Sequence, residues 1–161
     1  MPGLAQIGLV RTPGFSSWLI RVVTRSKHNH TIVSVSPHKV VSAQPDGVQI
    51  MDVTDFPQAA WSQFPLTEQQ ENKIIAYNLA QQGKPYDYFA YFWIGVGLLL
   101  KVKRTPNWVL RRLASDKAWI CSQLADRSYQ AAGIHLLGDD RPLGAVYPGS
   151  FEPLWEDHGW T

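Results

Sequence analysis

At 161 residues, 45% hydrophobic and 17% charged, the chain holds enough apolar material for one buried core and is read as a single domain spanning 1–161. Its net charge of +2 is too small to argue for a nucleic-acid partner. The lone cysteine excludes an internal disulfide framework.

Met1 to Val10 lacks the basic start and long apolar stretch of a secretory signal. A cytoplasmic location is therefore the default expectation, with a bacteriophage virion or another export route as alternatives. Ile7 to Thr12 reads as a short strand stopped by Pro13-Gly14. Phe15, Trp18, Leu19, Val22 and Val23 then form the apolar stripe of an amphipathic helix, with Ser16 or Ser17 as its cap.

Thr31 to Ser36 alternates in the manner of a strand, and Lys39 to Gln44 is a second strand after the Pro37-His38 turn. Pro45-Asp46-Gly47 is a turn in which proline presets φ and glycine takes the left-handed position. Val48 to Val53 completes an expected three-stranded antiparallel meander. Phe56 to Pro65 reads as a loop. Thr67 and Gln70 match a capping box, which opens a helix through Ile74, Ile75 and Leu79 that ends at Gly83-Lys84-Pro85.

Tyr86 to Leu100 is expected to be helical, and so is Trp108 to Ala114. The most apolar run, Phe89 to Leu100, falls short of the roughly 20 residues a spanning helix needs, so no transmembrane segment is expected. Lys101, Lys103, Arg104, Arg111 and Arg112 read as a solvated face, with a groove for acidic peptide or lipid headgroups as the alternative. Past Ile134 the chain shows no usable period. A β-rich first half and a helical second half predict an α+β fold, with helices packed on an antiparallel sheet.

Cys121, Leu124, Ala125, Ser128 and Ala132 share one face of a predicted helix that Gly133 stops. A thiol in the first turn of a helix faces unpaired N–H groups and the positive end of the dipole, both of which favour thiolate. A buried core thiol is the competing reading. A nucleophilic cysteine needs a base, a group to orient that base and an oxyanion donor. Of the five histidines, His30 is best placed, at the mouth of a strand, with His28 as its competitor. Ser42 and Gln44 share one face of the next strand, and either can orient the imidazole.

Several segments together resemble the permuted NlpC-type, YiiX-like group of papain-like cysteine hydrolases. They are Ile7-Gly8-Leu9-Val10-Arg11-Thr12, Trp18-Leu19-Ile20-Arg21, Asn29-His30-Thr31-Ile32-Val33, Val40 to Val48, and Cys121-Ser122-Gln123-Leu124 through Ile134. Asp140-Arg141-Pro142 and Tyr147-Pro148-Gly149 resemble the tail of that group. The resemblance implies a circularly permuted papain-like fold with Cys121 as nucleophile and His30 as base. The third catalytic position, commonly acidic or amide-bearing, falls on Ser42. Gly83-Lys84-Pro85-Tyr86 resembles a Gly-x-Pro-Tyr segment of the superfamily, which implies a Tyr86 hydroxyl directed toward the oxyanion or the thiolate.

The expected function is a cysteine peptidase or amidase that cleaves an amide bond through an acyl-enzyme. By that resemblance peptidoglycan peptide is the leading substrate class, and no metal or organic cofactor is expected. Two alternatives stand beside it: an acyl-lipid hydrolase or acyltransferase on the same fold, and a non-catalytic binding or phage structural module with a degenerate site.

Overall fold

The computed structural model describes residues 1–13, 21–22, 25–87, 120–137 and 146–160. Most of the expected helix at Phe15–Val23 lies outside them, as do the segment from Tyr88 to Leu100, the helix at Trp108–Ala114, the basic run and Asp140-Arg141-Pro142. Arg21 and Val22 are helical.

Five strands form one antiparallel sheet: β1 (Ile7–Val10), β2 (His30–Ser34), β3 (Lys39–Gln44), β4 (Gly47–Asp52) and β5 (Ala60–Trp61), in the spatial order β4-β3-β2-β1-β5. The meander β2-β3-β4 forms where alternation and turn chemistry place it. Gly47 has φ +113°, and a β-carbon there would lie 2.8 Å from the Lys84 carbonyl oxygen. That position therefore excludes side chains twice, by conformation and by contact.

The segment expected to be a loop, Phe56 to Pro65, contains β5. Ala60 and Trp61 pair with Leu9 and Gly8, and the Ser62 hydroxyl accepts a hydrogen bond from the Ile7 amide at 2.9 Å. Two residues cannot establish a period of two, which is why alternation does not reveal this strand.

Helix α1 (Glu68–Leu79) starts where the capping box places it. Thr67 accepts from the Gln70 amide, and the Gln70 side chain accepts from the Thr67 amide at 2.9 Å. Tyr86 does not open a helix, contrary to expectation: it sits in an isolated β-bridge. The cause lies just upstream, where the Lys84 carbonyl accepts from Val48 and the Gly83 amide donates to the Val48 carbonyl. The chain is thereby held extended beside β4, and Pro85 disfavours helix at Lys84.

Helix α2 (Cys121–Ala131) lies against β2 and β3 on one side and α1 on the other. Gly133 follows with φ +79°, as the sequence predicts. Its buried face joins Ala125 and Tyr129 to Ile7, Leu9 and Val33 in the main core. Helix α3 (Glu152–His158), which the sequence does not signal, plants Trp155 in the same core, with its cap residue Phe151 beside it. Trp155 Nε1 donates to the Ala60 carbonyl at 2.9 Å, so α3 also fastens β5.

Candidate functional site

The two faces of the sheet separate the candidate residues. Antiparallel partners share a face, and His30 pairs with Val10 while Thr31 pairs with Leu9. Val10 packs with Ile32, Val40 and Phe56, whereas Leu9 packs with Val33 and Ala125 of α2. His30 therefore belongs to the outer face, and Thr31 to the face that α2 covers.

On the outer face the sequence-predicted base and its partner meet. His30 Nε2 lies 2.6 Å from Ser42 Oγ, and Gln44 Nε2 donates to the same Oγ at 2.8 Å. Gln44 itself is 3.5 Å from His30 Nε2, so Ser42 is the direct partner and Gln44 supports it. Serine does not dictate the tautomer as a carboxylate does. Its hydroxyl either donates to Nε2 or accepts from Nε2–H, and only the second arrangement leaves Nδ1 with a lone pair able to take a proton.

The Phe56 ring lies 6.1 Å from the His30 ring. Phe56 also helps line an apolar cleft with Val53, Pro57, Ala59 and Trp61. Burial holds the imidazole at about 4, well below its usual value.

On the inner face Cys121 is the first residue of α2 and packs with Val41, Ala43, Val48 and Leu124; Tyr86 rests against the same cluster. Its sulfur faces the backbone N–H groups of Thr31, Ser122 and Cys121 itself, together with the Thr31 side chain. These donors favour thiolate, but burial outweighs them and pushes the thiol up to about 11. This corrects the expectation from helix position alone. A helix start stabilises an anion, yet at 7% exposure the loss of hydration decides the sign.

Cys121 and His30 adjoin the same end of β2 from opposite faces, and among the described residues no hydrogen bond joins them. The structure thus brings His30, Ser42 and Gln44 together, and separately Cys121, Tyr86 and Thr31. Composition and motif do not mark Thr31 as a candidate. Strand alternation pointed to it, because a residue next to a histidine on a strand faces the other way.

The other histidine near β2 has a different task. His28 Nδ1 lies 2.9 Å from Glu152 Oε1, which also accepts from Ser26 Oγ at 2.8 Å and from the amides of Lys27 and His28 at 2.7 and 2.9 Å. One carboxylate oxygen from the start of α3 therefore gathers Ser26, Lys27 and His28, shortly before β2. Burial alone would raise this carboxyl, but the bonds from Ser26 and His28 more than offset it and hold it below its usual value. Among the described residues, no three His, Cys, Asp or Glu side chains gather as a metal site requires. In the same residues, no helix is long and apolar enough to cross a membrane.

No family model matches the sequence, and no curated protein does. The fold does have a solved counterpart, YiiX (DUF1105) of Escherichia coli O157:H7, described as a metalloprotein. The two superpose with a TM-score of 0.60 at 19% identity, over 98% of this chain and 83% of YiiX. At that identity the likeness is one of fold.

Proposed function

We propose that the chain is a cysteine hydrolase of the permuted, NlpC-type papain-like kind, cleaving an amide bond with peptidoglycan peptide as the leading substrate class. The observation that supports this reading is the position of Cys121. It opens α2 with three backbone N–H groups at its sulfur and abuts β2 at the residue next to His30. In this reading His30 takes the thiol proton, Sγ attacks the carbonyl carbon, and the imidazolium protonates the leaving amine. Water then hydrolyses the thioester, with His30 as base again. Backbone N–H groups at the start of α2 hold the oxyanion, with Tyr86 as the side-chain candidate beside them. Ser42, braced by Gln44, sets the ring.

The resting site is not an ion pair. With the thiol near 11 and the imidazole near 4, moving the proton from sulfur to ring costs on the order of 10 kcal/mol. In this reading turnover requires a rearrangement at the end of β2 that brings Sγ and the ring, which adjoin the strand from opposite faces, within reach of each other and draws the two proton affinities closer.

A second reading, a binding or virion module with a degenerate site, draws on the same facts: neutral thiol, neutral imidazole, opposite faces of β2, and a serine in the third position. Digestion of peptidoglycan fragments separates the two. Wild type is expected to release new amine termini, with a loss of at least about a hundredfold in both Cys121→Ser and His30→Ala. Equal amine release from wild type and Cys121→Ser would sink the peptidase reading. Turnover of an acyl-lipid ester in its place would move the same nucleophile to a lipid substrate.

A further inference from the structure

Thr31 carries the least explained polar group beside the candidate nucleophile. It is 1% exposed, and its Oγ1 has no hydrogen-bond partner. Buried hydroxyls without partners are uncommon, because they have given up hydration for nothing. Register fixes the direction of this one: Thr31 pairs with Leu9 and shares its face, which α2 covers. There it meets Cys121, which approaches Thr31 through both the backbone N–H and the side chain. A neutral thiol is a weak acceptor, so at rest the hydroxyl meets sulfur in no more than a weak contact. A thiolate is a strong acceptor.

We infer that Thr31 is a positioning residue for Cys121: its hydroxyl is the donor that takes up the charge on Sγ when the thiol ionises. The idle donor at rest becomes a charge-assisted hydrogen bond in the reactive state, so ionisation recovers an interaction that the resting fold leaves unmade. The backbone N–H of the same residue adds a second donor, which makes Thr31 a two-pronged support arising from the strand rather than from the helix. This gives the residue after His30 a purpose within the hydrolase reading, on which it rests for its biological meaning.

The test needs no substrate. Cys121 is the only cysteine, so iodoacetamide alkylation of the full chain reports this thiol alone. Rates from pH 7 to 9 are measured for wild type, Thr31→Val and Thr31→Ser, with unfolding stability determined in parallel. Valine keeps the β-branched shape and removes the donor, whereas serine keeps the donor. The expected result is a drop of about tenfold in the Thr31→Val rate at each pH, with Thr31→Ser close to wild type. Equal rates for wild type and Thr31→Val would overturn the inference. So would a drop no larger than the accompanying gain in unfolding stability, because alkylation would then be following chain opening. Because the readout is ionisation, failure of peptide cleavage tells against the hydrolase reading and leaves this result standing.

Discussion

His30 and Thr31 are consecutive, yet their side chains leave β2 on opposite faces, His30 toward Ser42 and Phe56 and Thr31 toward Cys121. The peptide plane between them separates a buried base from a buried thiol. Both are neutral at rest, and each has a pH range in which that neutrality affects stability.

His30 is held at about 4 in the fold, against an ordinary 6.5. Between those values the unfolded chain binds a proton that the native chain refuses. Its contribution is fully present above pH 6.5 and is lost as pH falls toward 4. Stability should decline by about 1.4 kcal/mol per pH unit in that window. Urea unfolding midpoints of wild type and His30→Gln, compared from pH 7 to 4, check this: the variant should show the flatter profile.

Cys121 carries the opposite dependence. Its folded value of about 11 lies above an ordinary 9.0, so the unfolded chain ionises first. The contribution is fully present below pH 9 and is lost as pH rises through 11. Tyr129, also raised by burial, adds to the same alkaline decline. Cys121→Ala should flatten the first part of that decline. Wild-type alkylation at pH 7 should also run slower than that of an unhindered model thiol.

Glu152 is predicted to matter for stability through the three residues its carboxylate holds. Glu152→Ala leaves Ser26 Oγ and the amides of Lys27 and His28 without their acceptor, and should cost about 3 kcal/mol in chemical denaturation. Because the carboxyl is held below its usual value, its contribution is present above pH 4.5 and is lost as pH falls through the depressed folded value. Glu152→Gln should remove that acid-range loss without abolishing folding.

Gly47→Ala should destabilise by about 2 kcal/mol, since the new methyl meets the Lys84 carbonyl at 2.8 Å and φ is +113°. A thermal unfolding scan measures it. An unchanged midpoint would mean that the β3–β4 turn relaxes away from Lys84.

Much of the scaffold was legible because local chemistry and tertiary fate agree there. The meander, the Thr67 cap and the Cys121–Gly133 helix each combine a period with a punctuating residue. Ser42 and Gln44 lie on the same side of β3, as alternation required, and both reach the His30 network. Beyond these, the limits were physical. β5 is too short to alternate, and α3 is made by burying Phe151 and Trp155 rather than by any periodic stripe. Tyr86 is governed by Lys84 pairing with Val48, a contact across 36 positions that no local window contains. The facing of Cys121 toward Thr31 was implicit in strand parity, but it becomes visible only when α2 is known to cover that face.

The four bonds converging on Glu152 Oε1 also bear on how the chain reaches this structure. Ser26 and Glu152 are 126 positions apart, and Tyr129 reaches back 124 positions to the Ala5 carbonyl. The five described strands have been synthesised by Trp61, yet the apolar face of their sheet has no α2 or α3 to cover it until residues 121–158 follow. Contacts of such separation close slowly, because the loop entropy is lost before the contact is made. On a ribosome, the sheet must wait for residues 121–158 to emerge before α2 and α3 can seal its inner face. A chain released a few residues before Glu152 would present that face to whatever chaperone or neighbouring strand reached it first.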